Sequence, residues 1–420
     1  MEKFIVEGGI PLRGEVKISG AKNSVLPIMA ATLIHPGIYR IENVPNLTDV
    51  LTMSKLLQLL GGKVSRHGDS LIIDTEKVSK WEAPYELVST MRASVCVLGP
   101  LLARFGRAKV SYPGGCVIGT RPIDLHIKGM KMLGAKIEME EGYIVAKAEK
   151  LKGTRIYLQG SMGPTVLGTA NVMMAAVKAE GYTIIEGAAC EPEIVDLGNF
   201  LIRMGAEIEG LGSPRIVIRG GKDLKATDYR VIPDRIEAGT FILAGVITGG
   251  EVRVKGAIRD HLSSLLDLLK TSGCVIEEKE DQIMVLRGSR LAPLQVTTHP
   301  YPGFPTDLQA QMMVYLSTIP GISIVQEKVF PDRFMHVAEL LRMGARIYRE
   351  GSRAFVMGPT SLYGAPVMAS DLRASAALVL AGLYAKGKTE VRRIYHIDRG
   401  YEKIELKLQA LGAKIKRVKE

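Results

Sequence analysis

A thiol followed five residues later by an arginine is the first place in this sequence where chemistry can be read. Cys116 lies in Tyr112-Pro113-Gly114-Gly115-Cys116-Val117-Ile118-Gly119-Thr120-Arg121-Pro122-Ile123-Asp124-Leu125-His126. Three glycines and two prolines in this stretch argue against a helix or a long strand, so the thiol rides on a loop. A nearby cation favours the thiolate, which is the reactive form, and makes Cys116 a candidate nucleophile or acid. A surface loop with an incidental cysteine fits the same spacing, because a lone thiol motif does not transfer between families.

A second set of polar residues recurs just before apolar, helix-like runs. These are Lys22-Asn23-Ser24, Arg92, Ser161-Met162-Gly163, Asp234-Arg235 with Glu237, Thr306-Asp307, and Asp371-Leu372-Arg373. A helix N-terminus carries unpaired N–H groups and a partial positive charge, so several such ends together would hold an anion. Lys22, Arg92, Arg121 and Arg373 would add full charges. Ser24 reads most simply as an N-cap. Asp307 reads either as an N-cap or as an ionised carboxylate able to take a proton from an alcohol. Cys96 reads as a core thiol. His126 and His396 read as switches or ligands, but without paired histidines or a carboxylate cluster no metal site is expected.

These residues need elements to position them, and the sequence repeats its elements. A signature of Leu or Met, Gly, a small residue, any residue, then Val or Ile occurs at Leu60–Val64, Leu133–Ile137, Met204–Ile208, Met343–Ile347 and Leu411–Ile415, with a weaker copy at Ser272–Ile276. The period of about 70 residues suits a supersecondary unit with its own helices and strands. In each unit the signature glycine is read as a helix C′ residue opening a strand pair. An apolar helix follows: Ser24–Leu33, Ala93–Arg104, Thr165–Glu180, Ala238–Thr248, Leu308–Ser317 or Ala374–Lys386. The expected closing glycines are Gly37, Gly106, Gly181, Gly249, Gly321 and Gly387. A strand and a more amphipathic helix complete each unit.

Helices apolar on nearly all sides are buried. The pattern therefore predicts an α/β fold of two similar inside-out α/β barrel domains. Each would hold three units, with buried helices surrounded by strands and outer helices. The proline-bearing link Val231-Ile232-Pro233-Asp234 marks one crossover and Gly20-Ala21 a second, so the domains are placed at 22–230 and at 1–21 plus 231–420.

Length excludes one ordinary domain, and the 46% hydrophobic and 24% charged content is that of a globular protein. The net charge of +11 comes without a dense Lys/Arg run and with only 5% aromatic residues, which disfavours nucleic acid and leaves anionic metabolites. The four cysteines, at 96, 116, 190 and 274, show no pairing or metal-ligand spacing. The N-terminus has no signal-peptide pattern and the longest apolar runs fall short of a membrane span, so a cytoplasmic protein without membrane contact is expected.

The motifs above, together with Glu191-Pro192-Glu193-Ile194-Val195-Asp196, Phe304-Pro305-Thr306-Asp307 and Tyr395-His396-Ile397-Asp398-Arg399-Gly400-Tyr401, resemble the enolpyruvyl transferases. Within them they resemble the UDP-N-acetylglucosamine 1-carboxyvinyltransferase branch, over essentially the whole chain. The resemblance implies two inside-out domains closing over a cleft, phosphoenolpyruvate and UDP-N-acetylglucosamine as substrates, and no cofactor beyond a covalent phosphoenolpyruvate or pyruvyl adduct on Cys116. It also implies covalent inhibition by the epoxide fosfomycin. Cys116 would protonate the donor methylene, and Asp307 would take the proton of the sugar hydroxyl. Lys22, Arg92, Arg121 and Arg399 would hold the donor phosphate and carboxylate, with Arg373 nearby and Asn23 on both substrates. Arg121, Pro122, Ile123, Asp124 and Leu125 would hold uracil, Ser161, Met162 and Gly163 the diphosphate, and Val329 the sugar wall. One departure stands out: Gln159 occupies a position where family members often carry lysine. The sister activity, 5-enolpyruvylshikimate-3-phosphate synthase, and a non-catalytic nucleotide-sugar binder are the alternatives.

Overall fold

The computed structural model describes residues 2–113, 122–279 and 281–419, so Cys116 and Arg121 lie outside the described residues. The chain divides into two compact units, residues 20–232 and residues 2–19 with 233–419. Each has its own apolar core, one running from Ala21 to Val231 and the other from Phe4 to Ile415.

The repeat is visible as six four-stranded sheets of one design, three to a unit. In the sheet of Glu82–Ala83, Arg107–Ser111, Tyr143–Lys147 and Lys136–Glu140, a short parallel edge strand leads to the strand that follows a buried helix. An antiparallel hairpin finishes the sheet, with Glu140 opposite Tyr143. The three sheets of a unit remain separate, so "barrel" describes their placement around buried helices and not one closed ring of strands.

The N-terminus completes the second unit. Glu2–Glu7 takes the place of a hairpin's second strand, between Lys414–Lys419 and Lys388–Arg392. Arg13–Lys17 supplies a parallel edge to Glu251–Lys255. In the other unit Tyr229–Arg230 supplies the equivalent edge to Ile38–Glu42.

The signature glycines behave as read. Gly61, Gly134, Gly205, Gly273, Gly344 and Gly412 all have φ between 92° and 113°, a region costly to side chains with a Cβ. The weak copy is explained by a buried tyrosine: Ser272 Oγ lies 2.6 Å and Cys274 Sγ 3.3 Å from the Tyr315 hydroxyl, which needs polar partners in the core.

The six buried helices are α1 (Lys22–Ala31), α2 (Leu98–Phe105), α3 (Val166–Ala176), α4 (Arg235–Thr248), α5 (Gln309–Ser317) and α6 (Leu372–Tyr384). Short 3-10 turns, Arg92–Val97 and Thr306–Leu308, precede α2 and α5. Of the expected closing glycines, only Gly106 and Gly249 cap a helix directly. Gly37, Gly181, Gly321 and Gly387 also have positive φ, but lie after a further turn, where the chain swings into the next strand.

Candidate active site

The unit of residues 20–232 places Lys22, Asn23 and Ser24 in the first turn of α1. The helix begins at Lys22 and its N-cap is Ala21, which offers no side-chain cap. Ser24 is therefore not the N-cap expected from sequence. It sits inside the helix, where its hydroxyl donates to Asp196 Oδ2. The Lys22 ammonium is largely buried and lies 3.3 Å from Asp49, itself only 5% exposed. Asp49 was not legible as a site residue, because it lies in the first turn of a different helix, Thr48–Leu59.

Arg92 begins the turn before α2, and its Nη2 donates to the Pro122 carbonyl at 3.4 Å. Pro122 and Asp124 are exposed and Ile123 is buried, with Asp124 opening the helix Asp124–Met132. His126 in that helix is buried. Burial, with Arg92 close by, lowers its pKa to about 3. Asn171 Nδ2 donates to its Nδ1 at 3.0 Å, which places the ring proton on Nε2.

Asn171 is fully buried in α3 and also donates to the Val95 carbonyl and accepts from Gly99 N. It was missed as part of an apolar run. A lone asparagine in Val166–Ala176 was the available signal, since a buried amide must find partners.

Ser161, Met162 and Gly163 do not lie at a helix N-terminus as expected. Gln159–Gly160 pairs with Gly163–Pro164, so Ser161 and Met162 form an exposed hairpin tip, and the N-cap of α3 is Thr165, which accepts from Gly168 N. The hairpin does lie beside the Pro122–Leu125 segment: a Cβ at Gly160 would stand 3.4 Å from Leu125 Cδ1. Gln159 accepts a hydrogen bond from the Tyr157 hydroxyl at 3.3 Å, and Lys128 Nζ donates to the Tyr157 carbonyl at 2.6 Å.

In the second unit Asp307 is clamped by two guanidiniums. Arg333 Nη1 lies 2.8 Å from Oδ1, and Arg373 Nη2 lies 3.1 Å from Oδ2. Asp307 is thus not a helix cap. It sits within the Thr306–Leu308 turn, whose N-cap is Pro305. Thr306 also does not cap; its hydroxyl donates to Glu327 Oε2 and accepts from Arg333 Nη1. Glu327 Oε1 accepts from Val329 N, fixing the backbone of that predicted wall residue. The true caps are Asp234 and Asp371, each accepting two backbone N–H groups.

Arg373 is not a solvated surface arginine, since it is 2% exposed. Burial works against its charge, but Tyr401, Asp307 and Asp234 outweigh it and push its pKa up. Its Nη1 is buried without a hydrogen-bond partner among the described residues. Arg333, equally buried, was missed because nothing local in sequence links it to Asp307, 26 positions away. The buried His336 near both Asp371 and Arg333 is held neutral, with burial lowering its pKa to about 4.

Arg399 ends the turn Ile394–Arg399, half-buried. The neighbouring carboxylate of Asp398 is taken by Arg417 at 2.6 Å. His396 is half-buried, and burial together with Arg399 lowers its pKa.

Buried helices, three sheets to a unit and charged side chains gathered at the helix starts define a two-domain α/β protein. The chain belongs to the EPSP synthase (3-phosphoshikimate 1-carboxyvinyltransferase) family, which it matches over residues 6–408. It is 57% identical over 422 residues to the UDP-N-acetylglucosamine 1-carboxyvinyltransferase 2 of Carboxydothermus hydrogenoformans, covering 100% of both chains. It is 53% identical over 420 residues to the UDP-N-acetylglucosamine 1-carboxyvinyltransferase of Thermodesulfovibrio yellowstonii, again covering 100% of both. Among solved structures it is similar to the enolpyruvyl transferase NikO from Streptomyces tendae, with a TM-score of 0.90 at 25% identity, covering 99% of each chain.

Proposed function

We propose that this chain transfers the enolpyruvyl group of phosphoenolpyruvate to the 3′-hydroxyl of UDP-N-acetylglucosamine, releasing phosphate, and so makes a peptidoglycan precursor. The full-length likeness to the Carboxydothermus relative carries the choice of acceptor. The reaction adds the sugar oxygen to C2 of the donor while a proton joins C3; loss of a C3 proton and of phosphate then restores the double bond. The addition needs an acid at C3 and a base on the alcohol; the elimination needs a base at C3 as phosphate leaves.

Asp307 is the base on the sugar hydroxyl. What supports this role is its geometry: one carboxylate held between Arg333 and Arg373 and fixed in direction. Arg373 Nη1 is buried without a hydrogen-bond partner among the described residues, and a donor oxygen would satisfy it. Lys22, Arg92, Arg121 and Arg399 hold the phosphate and carboxylate of the donor, and Cys116 is the acid at C3. Asn23 contacts the sugar, Pro122–Leu125 the uracil, Ser161–Gly163 the diphosphate and Val329 the sugar-side wall. Glycine positions and an exposed hairpin tip let backbone N–H groups approach a diphosphate without a lysine at position 159.

The test is phosphate release from phosphoenolpyruvate with UDP-N-acetylglucosamine or with shikimate 3-phosphate as acceptor. Release with the nucleotide sugar alone is expected. Release with shikimate 3-phosphate alone would assign the sister activity, and sugar-nucleotide binding without release would leave a binding protein.

A further inference from the structure

The Glu191–Asp196 motif carries a buried acid that the roles above do not use. Asp196 lies in the helix Pro192–Met204 and is 2% exposed. Its Oδ1 accepts from the Tyr229 hydroxyl at 2.6 Å. Its Oδ2 accepts from the Ser24 hydroxyl and from Ile232 N at 3.3 Å. Burial pushes its pKa up, while these three donors pull it back.

Two separate stretches of chain therefore converge on one carboxylate: the first turn of α1, and the edge strand Tyr229–Arg230 with Ile232 two residues beyond it. The same Ile232 accepts from Ala21 N through its carbonyl at 2.8 Å. Lys22 and Asn23 thus sit between Ala21, tied to Ile232, and Ser24, tied to Asp196. An apolar residue at 196 could fill the space but would take this acceptor from the Ser24 hydroxyl and Ile232 N, while the Tyr229 hydroxyl would keep the backbone carbonyl of residue 196 at 3.1 Å.

We propose that Asp196 is a positioning residue for the substrate-binding turn: by accepting from Ser24 and Ile232 together, it holds Lys22 and Asn23 in the orientation that receives phosphoenolpyruvate. This rests on the function proposed above. Asp196 touches no reacting atom in this scheme and acts only through α1.

The experiment uses the full chain with Ser24→Ala and Asp196→Asn, singly and together, and Tyr229→Phe as a variant that leaves the Ser24 contact in place. Two readouts are taken: the KM for phosphoenolpyruvate against kcat, and amide hydrogen exchange across residues 21–26. Ser24→Ala puts a strong helix former inside a helix, so it keeps the test open where Asp196→Asn fails to fold.

The expected result for Ser24→Ala and Asp196→Asn is faster exchange in that segment and a roughly tenfold rise in KM, with kcat changed less than about threefold, since small misplacements of a binding group are costly. The double variant should rise no further than the worse single one, because both remove one contact. Tyr229→Phe should move both readouts less. Unchanged exchange overturns the proposal, as does faster exchange with an unchanged KM, which is what a purely structural role gives. A wild type without turnover bears on the proposed reaction alone; the exchange readout still decides whether Asp196 holds the turn.

Discussion

Replacing His126 by asparagine should change how stability depends on pH while leaving the pH profile of activity alone. The folded-state pKa is lowered to about 3 from 6.5, chiefly by burial. As pH falls through 6.5 the unfolded chain takes up this proton and the folded chain does not. The unfolded state then binds more protons, so stability falls with pH, by up to about 1.4 kcal/mol per unit below 6.5. At about pH 5 this one ring should cost about 2 kcal/mol relative to neutral pH.

His336, lowered to about 4, should cost a similar amount over the same range. The buried carboxylates of Asp196 and Glu237 act the other way. Their folded pKa values are raised, so their contribution is present at low pH and lost as pH rises. Both terms remain in the variant and cancel from the comparison.

Asparagine keeps an acceptor where Nδ1 receives Asn171 but leaves part of the ring space empty, so His126→Asn should lose roughly 1–3 kcal/mol at neutral pH. The measurement is urea unfolding of both proteins at about pH 7 and about pH 5, with equal slopes confirming a like-for-like comparison. The gap between wild type and variant should narrow by about 2 kcal/mol at the lower pH. A constant gap would mean the ring is not held neutral, and the reasoning from burial would fail. The phosphate-release profile at neutral and alkaline pH should keep its shape, since a ring that stays neutral contributes no titration there.

Two further outcomes concern the chemistry. Arg333→Met should lower kcat roughly 100-fold by freeing one side of Asp307, a share of the 10²–10⁴ that a positioned base supplies. Asp307 keeps Arg373, so folding should survive; steady-state kinetics showing normal kcat would remove Arg333 from the site. Cys116→Asp should remain active with its optimum at lower pH and resist alkylation by fosfomycin, whereas Cys116→Ser should lose most turnover, because a serine hydroxyl is too weak an acid. pH–rate profiles and intact mass after epoxide treatment decide this, and an inactive but folded Cys116→Asp would overturn the acid assignment.

Much of the fold was legible because it rests on local rules. A glycine at positive φ after a helix, followed by Val or Ile, is a local event repeated six times, and the all-apolar helices could only be interior. Asp234 and Asp371, which stand just before apolar runs in the sequence, prove to be caps of the same local kind. The site was legible as a set of residue types but not as a set of partners. Ser24, Thr306 and Asp307 have the right chemistry for caps, and what decided their roles was where the helix began. A shift of one or two residues puts a hydroxyl inside the first turn, where it needs another acceptor; Ser24 finds Asp196, 172 positions away. Arg333 and Asp49 were invisible for a related reason, since ion pairs between separate elements of one repeat leave no mark on local spacing.

The buried cations also change what the net charge of +11 means. Read from sequence, it suggests a basic surface awaiting an anion. In the structure Lys22 is paired with Asp49, and Arg333 and Arg373 with Asp307. A lone guanidinium as buried as Arg373 would be expensive to keep charged, whereas a paired one is tolerated before any ligand arrives. The pairing also sets direction: Asp307 divides its two oxygens between Arg333 and Arg373, Asp371 and Asp234 add negative charge beside them, and among the described residues Arg373 Nη1 has no hydrogen-bond partner. Under the proposed function, that nitrogen would receive a donor oxygen without displacing Asp307, which would stay fixed for the sugar proton. The acid that looks like a cap in the sequence is what lets the arginines be buried, and the arginines in turn fix the direction of its carboxylate.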